Sequence, residues 1–208
     1  IASDTIYLAQ PDSLLIDSFD IVTYIGGHNV SCTGFADGQA NVYVSPLLDR
    51  NLVNVAYSYS WSNGNATDTA YALDAGIHSV VVTDPNGCNI SDTITLTEPT
   101  PLVINSITPT HLLCKGRDNG TALVSVSGAT PGYSYLWDNA NDTIPTYFNP
   151  NDTVASYNDT TAFADTLRAG MYFVQVWDTN GCYEIDSIVI TEPSISITID
   201  SLDVTQMT

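Results

Sequence analysis

Apolar and polar residues alternate with a period of two through several stretches of this chain. Val55, Tyr57, Tyr59 and Trp61 fall on one side of such a stretch, with Ala56, Ser58 and Ser60 on the other. Tyr133, Tyr135 and Trp137 repeat the arrangement. Ser79–Thr83 and Tyr172–Trp177 are short apolar runs. Each leads into Asp-x-Asn-Gly-Cys (84–88 and 178–182) and then a second β-rich run, Ile90–Leu96 or Ile185–Ile190. Asn-Gly between two such runs predicts a hairpin, because both residues tolerate positive φ. Leu15, Ile21, Val22, Val42, Val44, Val103, Ile104, Leu123, Val124 and Val126 supply further strands. No stretch sustains an apolar period of 3.6 over three turns. The pattern predicts an all-β chain of short antiparallel strands.

The pattern also repeats. Asp4-Thr5-Ile6-Tyr7-Leu8-Ala9-Gln10-Pro11 returns as Asp92–Pro99 and again as Asp186–Pro193, at offsets of 88 and 94 residues. Cys32-Thr33-Gly34 matches Cys114-Lys115-Gly116, and Asp37-Gly38 matches Asn119-Gly120. Gly76 precedes Cys88 by 12 positions, as Gly170 precedes Cys182, and Cys88 precedes Glu98 by 10, as Cys182 precedes Glu192. Residues 12–99 and 100–193 are thus expected to be two complete repeats. Residues 1–11 read as the last strand of a preceding repeat, and 194–208 as the first strand of a following one. The Glu-Pro steps mark short joints, since proline fixes its own φ and extends the residue before it. From Trp61 to Gly76 is 15 positions and from Trp137 to Gly170 is 33, so the second repeat carries 18 extra residues within about 139–163.

Composition sharpens the picture. The 208 residues hold 23 acidic and 4 basic side chains, a formal charge of −19, with 44% apolar residues. That apolar content separates the chain from a disordered acidic tail. The charge argues against nucleic-acid or anionic-membrane partners, which need Lys/Arg clusters. No run is long and apolar enough to insert directly in a membrane as a helix. No basic n-region with an apolar h-region opens the chain, so any export signal is expected to lie outside it. The acidity belongs to each repeat: residues 12–99 carry 10 acids and 1 base, residues 100–193 carry 10 and 3.

Four cysteines allow three pairings. Repeat symmetry selects Cys32–Cys88 and Cys114–Cys182, one bridge per repeat. Closing loops of 56 and 68 residues would stabilise each repeat by about 4 kcal/mol through loop-closure entropy. Metal binding is the weaker reading, with no Cys-x-x-Cys and no suitably spaced histidine. Disulfides imply an oxidising compartment, hence export.

The order Cys…Trp…Cys in each repeat resembles an immunoglobulin domain, as does Leu167–Tyr172, which looks like the corner where that fold's tyrosine caps a loop. His78 takes the tyrosine's place in the first repeat. The second cysteine follows the hairpin turn, so the bridge should tie the sandwich rim rather than cross the core. The fold expected is two tandem immunoglobulin-like antiparallel β-sandwich domains in an extended array. Cys-x-Gly, Asp/Asn-Gly, Tyr-x-Tyr-x-Trp, Leu-x-Ala-Gly-x-Tyr, Asp-x-Asn-Gly-Cys and Thr-Glu-Pro together resemble the SprB-type repeat of very long surface adhesins of gliding and other Bacteroidota. The resemblance implies type IX export, a cell-surface location and a stalk or adhesive role, but no particular ligand. The partners expected are neighbouring repeats of the same chain, with surface glycans or like filaments as candidate contacts. The alternative is a carbohydrate-binding module of a secreted protein.

Candidate chemistry is sparse. His28, His78 and His111 are the only histidines, His111 lying near the expected start of a strand, and no nucleophile-elbow, zinc-protease or phosphate-loop pattern occurs. No enzymatic activity and no cofactor are expected. Calcium is the sharper idea, because Asp and Asn oxygens suit a hard cation. The richest cluster, assigned to the inserted loop, is Asp138, Asn141 and Asp142; the Asp84/Asn86 and Asp178/Asn180 turns and the joint residues Glu98 and Glu192 come next. The plainer reading is that Asp and Asn form turns. The aromatic stripe Tyr57–Trp61 and Tyr133–Trp137 reads as core. Tyr147, Phe148 and Tyr157 in the insertion are the better candidates for contact with a ligand. Asp68-Thr69-Ala70, Asp142-Thr143-Ile144, Asp152-Thr153-Val154 and Asp165-Thr166-Leu167 look like O-glycosylation sequons of the same phylum, or turns leading into strands.

Overall fold

A computed structural model describes residues 13–45, 56–139 and 162–195. The chain divides into two compact units, Ile1–Thr100 and Pro101–Thr208. In the first, six strands run in the order β1 (Leu15–Ile21), β2 (Gly38–Ser45), β3 (Ser58–Trp61), β4 (Thr69–Leu73), β5 (Gly76–Thr83) and β6 (Asn89–Leu96). They form two antiparallel three-stranded sheets, β1-β2-β4 and β3-β5-β6. The second unit repeats this with β7 (Val103–Thr110), β8 (Gly120–Ser127), β9 (Ser134–Asn139), β10 (Phe163–Leu167), β11 (Gly170–Trp177) and β12 (Tyr183–Ile190). Its sheets are β7-β8-β10 and β9-β11-β12. This is the immunoglobulin arrangement with one edge strand fewer on the larger sheet.

Each unit encloses its own core. In the first, Ala40, Val42 and Val44 alternate inward along β2, and Val80 and Val82 do so along β5. Trp61 of β3 is 3% exposed and meets Phe19 of β1 edge-to-face at 6.2 Å, which joins the two sheets. In the second, Ala122, Val124, Trp137, Val174 and Val176 hold the corresponding places. Tyr57, Tyr59, Tyr133 and Tyr135 are half-buried against these cores, as their alternation predicts.

Two strands depart from period two in the same way. Ala70 and Leu73 of β4 are both fully buried although three positions apart, with Tyr71 and Ala72 exposed between them. Ala72 has φ 55°, and the pairing with β2 slips between Gly38 and Ala40. In β10, Ala164 and Leu167 are buried and Thr166 has φ 57°. Both are β-bulges that turn the following leucine back inward. Neither strand is visible in the alternation of the sequence, where Thr69 and Thr166 figure only in glycosylation sequons.

His111 follows the end of β7 rather than starting a strand. Asp138 belongs to β9, opposite Phe173 of β11, so the calcium cluster's first member is a strand residue and not part of the inserted loop. A paired strand fixes its backbone and takes away a loop's freedom to gather ligands.

Candidate functional site

The shared motifs converge on the ends of each sandwich. At the end where the chain leaves the first unit, the Cys-x-Gly loop lies against the residues after β6. Asn29 and Val30 donate their backbone N–H groups to the Thr97 carbonyl, at 2.8 and 3.1 Å. Thr33 Oγ1 donates to the Pro99 carbonyl at 2.7 Å. The Gly34 N–H donates to Glu98 Oε2 at 2.6 Å. The second unit repeats the clasp: Gly116 N–H to Glu192 Oε2, also 2.6 Å, and Leu112 N–H to the Thr191 carbonyl, 2.9 Å. The glutamate of Thr-Glu-Pro therefore caps the glycine of Cys-x-Gly. Two motifs 64 and 76 residues apart are one device. The only trace of it in the sequence is that both motifs occur in every complete copy.

The opposite end carries the hairpin turn. Asp84 Oδ1 accepts the backbone N–H groups of Asn86 and Cys88, at 2.9 and 2.8 Å, and Asp178 does the same for Asn180 and Cys182 at the same distances. Gly87 and Gly181 both have φ 88°, which the turn requires. These carboxylates are engaged as turn formers. In the second unit the turn also holds the β8–β9 connection: Thr130 N–H donates to Asp178 Oδ2 at 3.0 Å, and Thr179 Oγ1 to the Pro131 carbonyl at 2.7 Å.

This geometry corrects the cysteine pairing. Cys32 and Cys182 are disulfide-bonded, while Cys88 and Cys114 are free and exposed. Neither repeat closes a bridge of its own. In the first, Cys88 precedes β6 and Cys32 lies beside the residues that follow it. The strand between them spans about 23 Å, at ~3.3 Å per residue, against the ~4–7 Å between Cα atoms that a disulfide tolerates. In the second, β12 separates Cys182 from Cys114 in the same way.

His78 and His111 have structural roles. Tyr172, fully buried, donates its hydroxyl to the Arg168 carbonyl at 3.2 Å and accepts the Arg168 N–H at 3.0 Å. This is the tyrosine corner of the immunoglobulin fold. His78, 6% exposed, replaces it: its Nε2 lies 2.9 Å from the Asp74 carbonyl, the equivalent acceptor, and its Nδ1 lies 3.4 Å from Ser62 Oγ. His111 Nδ1 accepts the Thr191 N–H at 3.1 Å, where the first unit uses Asn29 Oδ1 and Thr97.

Burial pushes the phenols of Tyr57, Tyr59 and Tyr135 up, as expected of side chains leaning on a core. Among the described residues no group of three or more His, Cys, Asp or Glu side chains is placed to hold a metal ion. Asn141, Asp142, Tyr147, Phe148 and Tyr157, and the sequons at 142–144 and 152–154, lie outside the described residues.

No curated protein sequence matches the chain. Among solved structures it is similar to murine CEACAM1b at 13% identity and a TM-score of 0.33, over 78% of this chain and 95% of that one. It is also similar to the Down Syndrome Cell Adhesion Molecule at 15% identity and 0.38, over 87% and 25%. A third likeness is a C-terminal fragment of intimin in complex with its translocated receptor's binding domain, at 14% identity and 0.36, over 88% and 64%. Residues 106–142, from within β7 through the Asn-Gly and Tyr-x-Tyr-x-Trp motifs to just beyond β9, match the SprB repeat.

Proposed function

We propose that this chain is a tandem-repeat segment of an extracellular, cell-surface adhesin or filament, and that its role is structural. One observation carries the reading: the two units share their end chemistry hydrogen bond for hydrogen bond. Gly34–Glu98 matches Gly116–Glu192, and the Asp84 turn matches the Asp178 turn. The ends of the two repeats are alike while their middles differ by an 18-residue insertion. Like ends on successive units suit an array that grows by adding units. The SprB match over 106–142 supports the same reading, and with it gliding-type surface display and type IX export. Adhesive contact is assigned to the insertion at about 139–163.

Antibodies raised against the chain should label intact, unpermeabilised source cells. Surface protease treatment should remove the signal. Labelling that appears only after lysis would overturn the proposal.

A further inference from the structure

The outer face of the β9-β11-β12 sheet differs from its counterpart in the first unit. Both registers of β11 run unbroken, so Phe173, Gln175 and Trp177 share one face with Leu136 of β9 and with Tyr183 and Ile185 of β12. Trp137, Val174 and Val176 point the other way, into the core. In the first unit the matching positions are Ser79, Val81 and Thr83 of β5, Ser60 of β3, and Asn89 and Ser91 of β6. One fold carries both faces, so folding does not require the apolar one. Tyr183 is 58% exposed and Ile185 41%, with Leu136, Phe173 and Trp177 half-buried beside them. A contiguous apolar patch on a polar surface marks an interaction site.

Gln175 lies at the centre of this face, paired with Leu136 on one side and Ile185 on the other. It is 4% exposed, and its Oε1 is buried with no hydrogen-bond partner among the described residues. An unmet buried acceptor costs about 1–3 kcal/mol. We propose that this face packs against the same face of a second copy of the chain, with a two-fold axis at Gln175. Such an axis sets the residue on it against itself. A carboxamide is its own complement, because its Nε2–H groups donate and its Oε1 accepts. Packed sheets lie about 10 Å apart, a gap that two opposed glutamines turned outward span. The pair meets both carbonyls and fixes the register of the contact, as a lone buried amide does between helices.

Charge selects the same occupant. The chain carries −19, yet the described residues of this face include one carboxylate, Asp138 near the end of β9. A basic partner finds little to pair with there. A like-charged copy meets the least repulsion there. Area sets the strength. Three strands ~4.8 Å apart, with eight residues at ~3.3 Å each, present roughly 350 Å². Two copies bury about 700 Å², below the ~1,200 Å² of a stable interface, so the dimer is weak. The contact belongs to the second unit and does not depend on the array proposed above, in which repeated weak contacts would add.

Sedimentation of the full chain, with its free thiols alkylated, tests this. The average mass should climb from monomer towards dimer between about 10 μM and about 1 mM, the range of a weak contact. Added salt should strengthen association by screening two acidic chains. Dilution should shift the NMR signals of β9, β11 and β12 and of the Gln175 side-chain amide. Tyr183→Asn with Ile185→Ser installs the first unit's residues at exposed positions. It should weaken association about tenfold or more, with the unit still folded by urea titration. Gln175→Glu should abolish association near neutral pH, because two carboxylates would then meet on the axis. A chain still monomeric at about 1 mM would overturn the proposal. So would a double variant that associates as tightly as the parent, association unchanged by Gln175→Glu, or association weakened by salt. A monomer whose face signals move instead with cellohexaose would give the face to sugar and overturn it too.

Discussion

Replacing Gly38 by alanine probes how closely the first sandwich packs. Gly38 opens β2 opposite Leu73, and its φ lies outside the left-handed region, so its backbone accepts alanine. The space does not. A Cβ there would lie 2.5 Å from Leu96 Cδ2, 2.8 Å from the Leu73 carbonyl oxygen and 3.3 Å from that of Asn29. The leucine side chain can turn away. The Leu73 carbonyl is part of the strand pairing, and Asn29 is tied to Thr97. Overpacking of this kind costs about 1–3 kcal/mol. A stiffer unfolded chain offsets about 0.4–1 kcal/mol of that. The net loss should be about 1–2 kcal/mol, a fall of about 4–16 °C in the melting of this unit. Urea unfolding followed by the fluorescence of buried Trp61 reports it. Adding Leu96→Ala removes one of the three obstacles, so the double variant should lose less than the two single changes together. Gly64→Ala meets nothing within 4 Å at φ 90°, so its cost is conformational and Leu96→Ala should leave it unchanged. Unchanged or raised stability in Gly38→Ala would refute the argument.

Tyr172→Phe leaves the Arg168 N–H and carbonyl without the hydroxyl, and His78→Phe does the same to the Asp74 carbonyl; each should cost its unit about 1–2 kcal/mol in urea unfolding. Burial works to raise the Asp37 carboxyl, but hydrogen bonds from the Ser31 hydroxyl and N–H outweigh it and hold the group below its ordinary value of 3.8. A depressed folded-state pKa gives stability above the unfolded value that is lost as pH falls through the folded one. Asp37→Asn should therefore flatten the first unit's loss of stability below about pH 4; an unaltered acid limb in denaturant titrations would contradict this. Chelator should not shift melting through the Asp84 and Asp178 turns, whose carboxylates hold their own backbone. A calorimetric shift would report calcium elsewhere, first at Asp138, Asn141 and Asp142. As a stalk the chain should be silent on a glycan array. A signal abolished by Tyr147→Ala or Tyr157→Ala would replace the stalk with a carbohydrate-binding module.

The strands that alternate cleanly were legible, because a half-buried strand writes its two faces into successive residues. β2, β5, β6, β8, β11 and β12 all coincide with apolar runs. β4 and β10 were not legible. Their left-handed residues, Ala72 and Thr166, set the inward positions three apart, and the sequence then shows neither period. The Asp-Gly and Asn-Gly anchors were visible as repeats but not as contacts. Gly38 and Gly120 are needed because a Cβ would meet Leu73 and Leu96, or Leu167 and Ile190. The histidine in place of a tyrosine was visible as a departure, and its hydrogen bond to Asp74 explains why the departure is tolerated.

Sequence by itself determined the period, the all-β character, the hairpin turns and the paired end motifs, since each is written locally or in the spacing between copies. Only the tertiary structure decided which ends those motifs occupy. Cys32 and Cys88 are members of one repeat, and symmetry made them natural partners. An eight-residue strand lies between them, and its length forbids the bond. Spacing along the chain carries no record of direction in space; the strand supplies it.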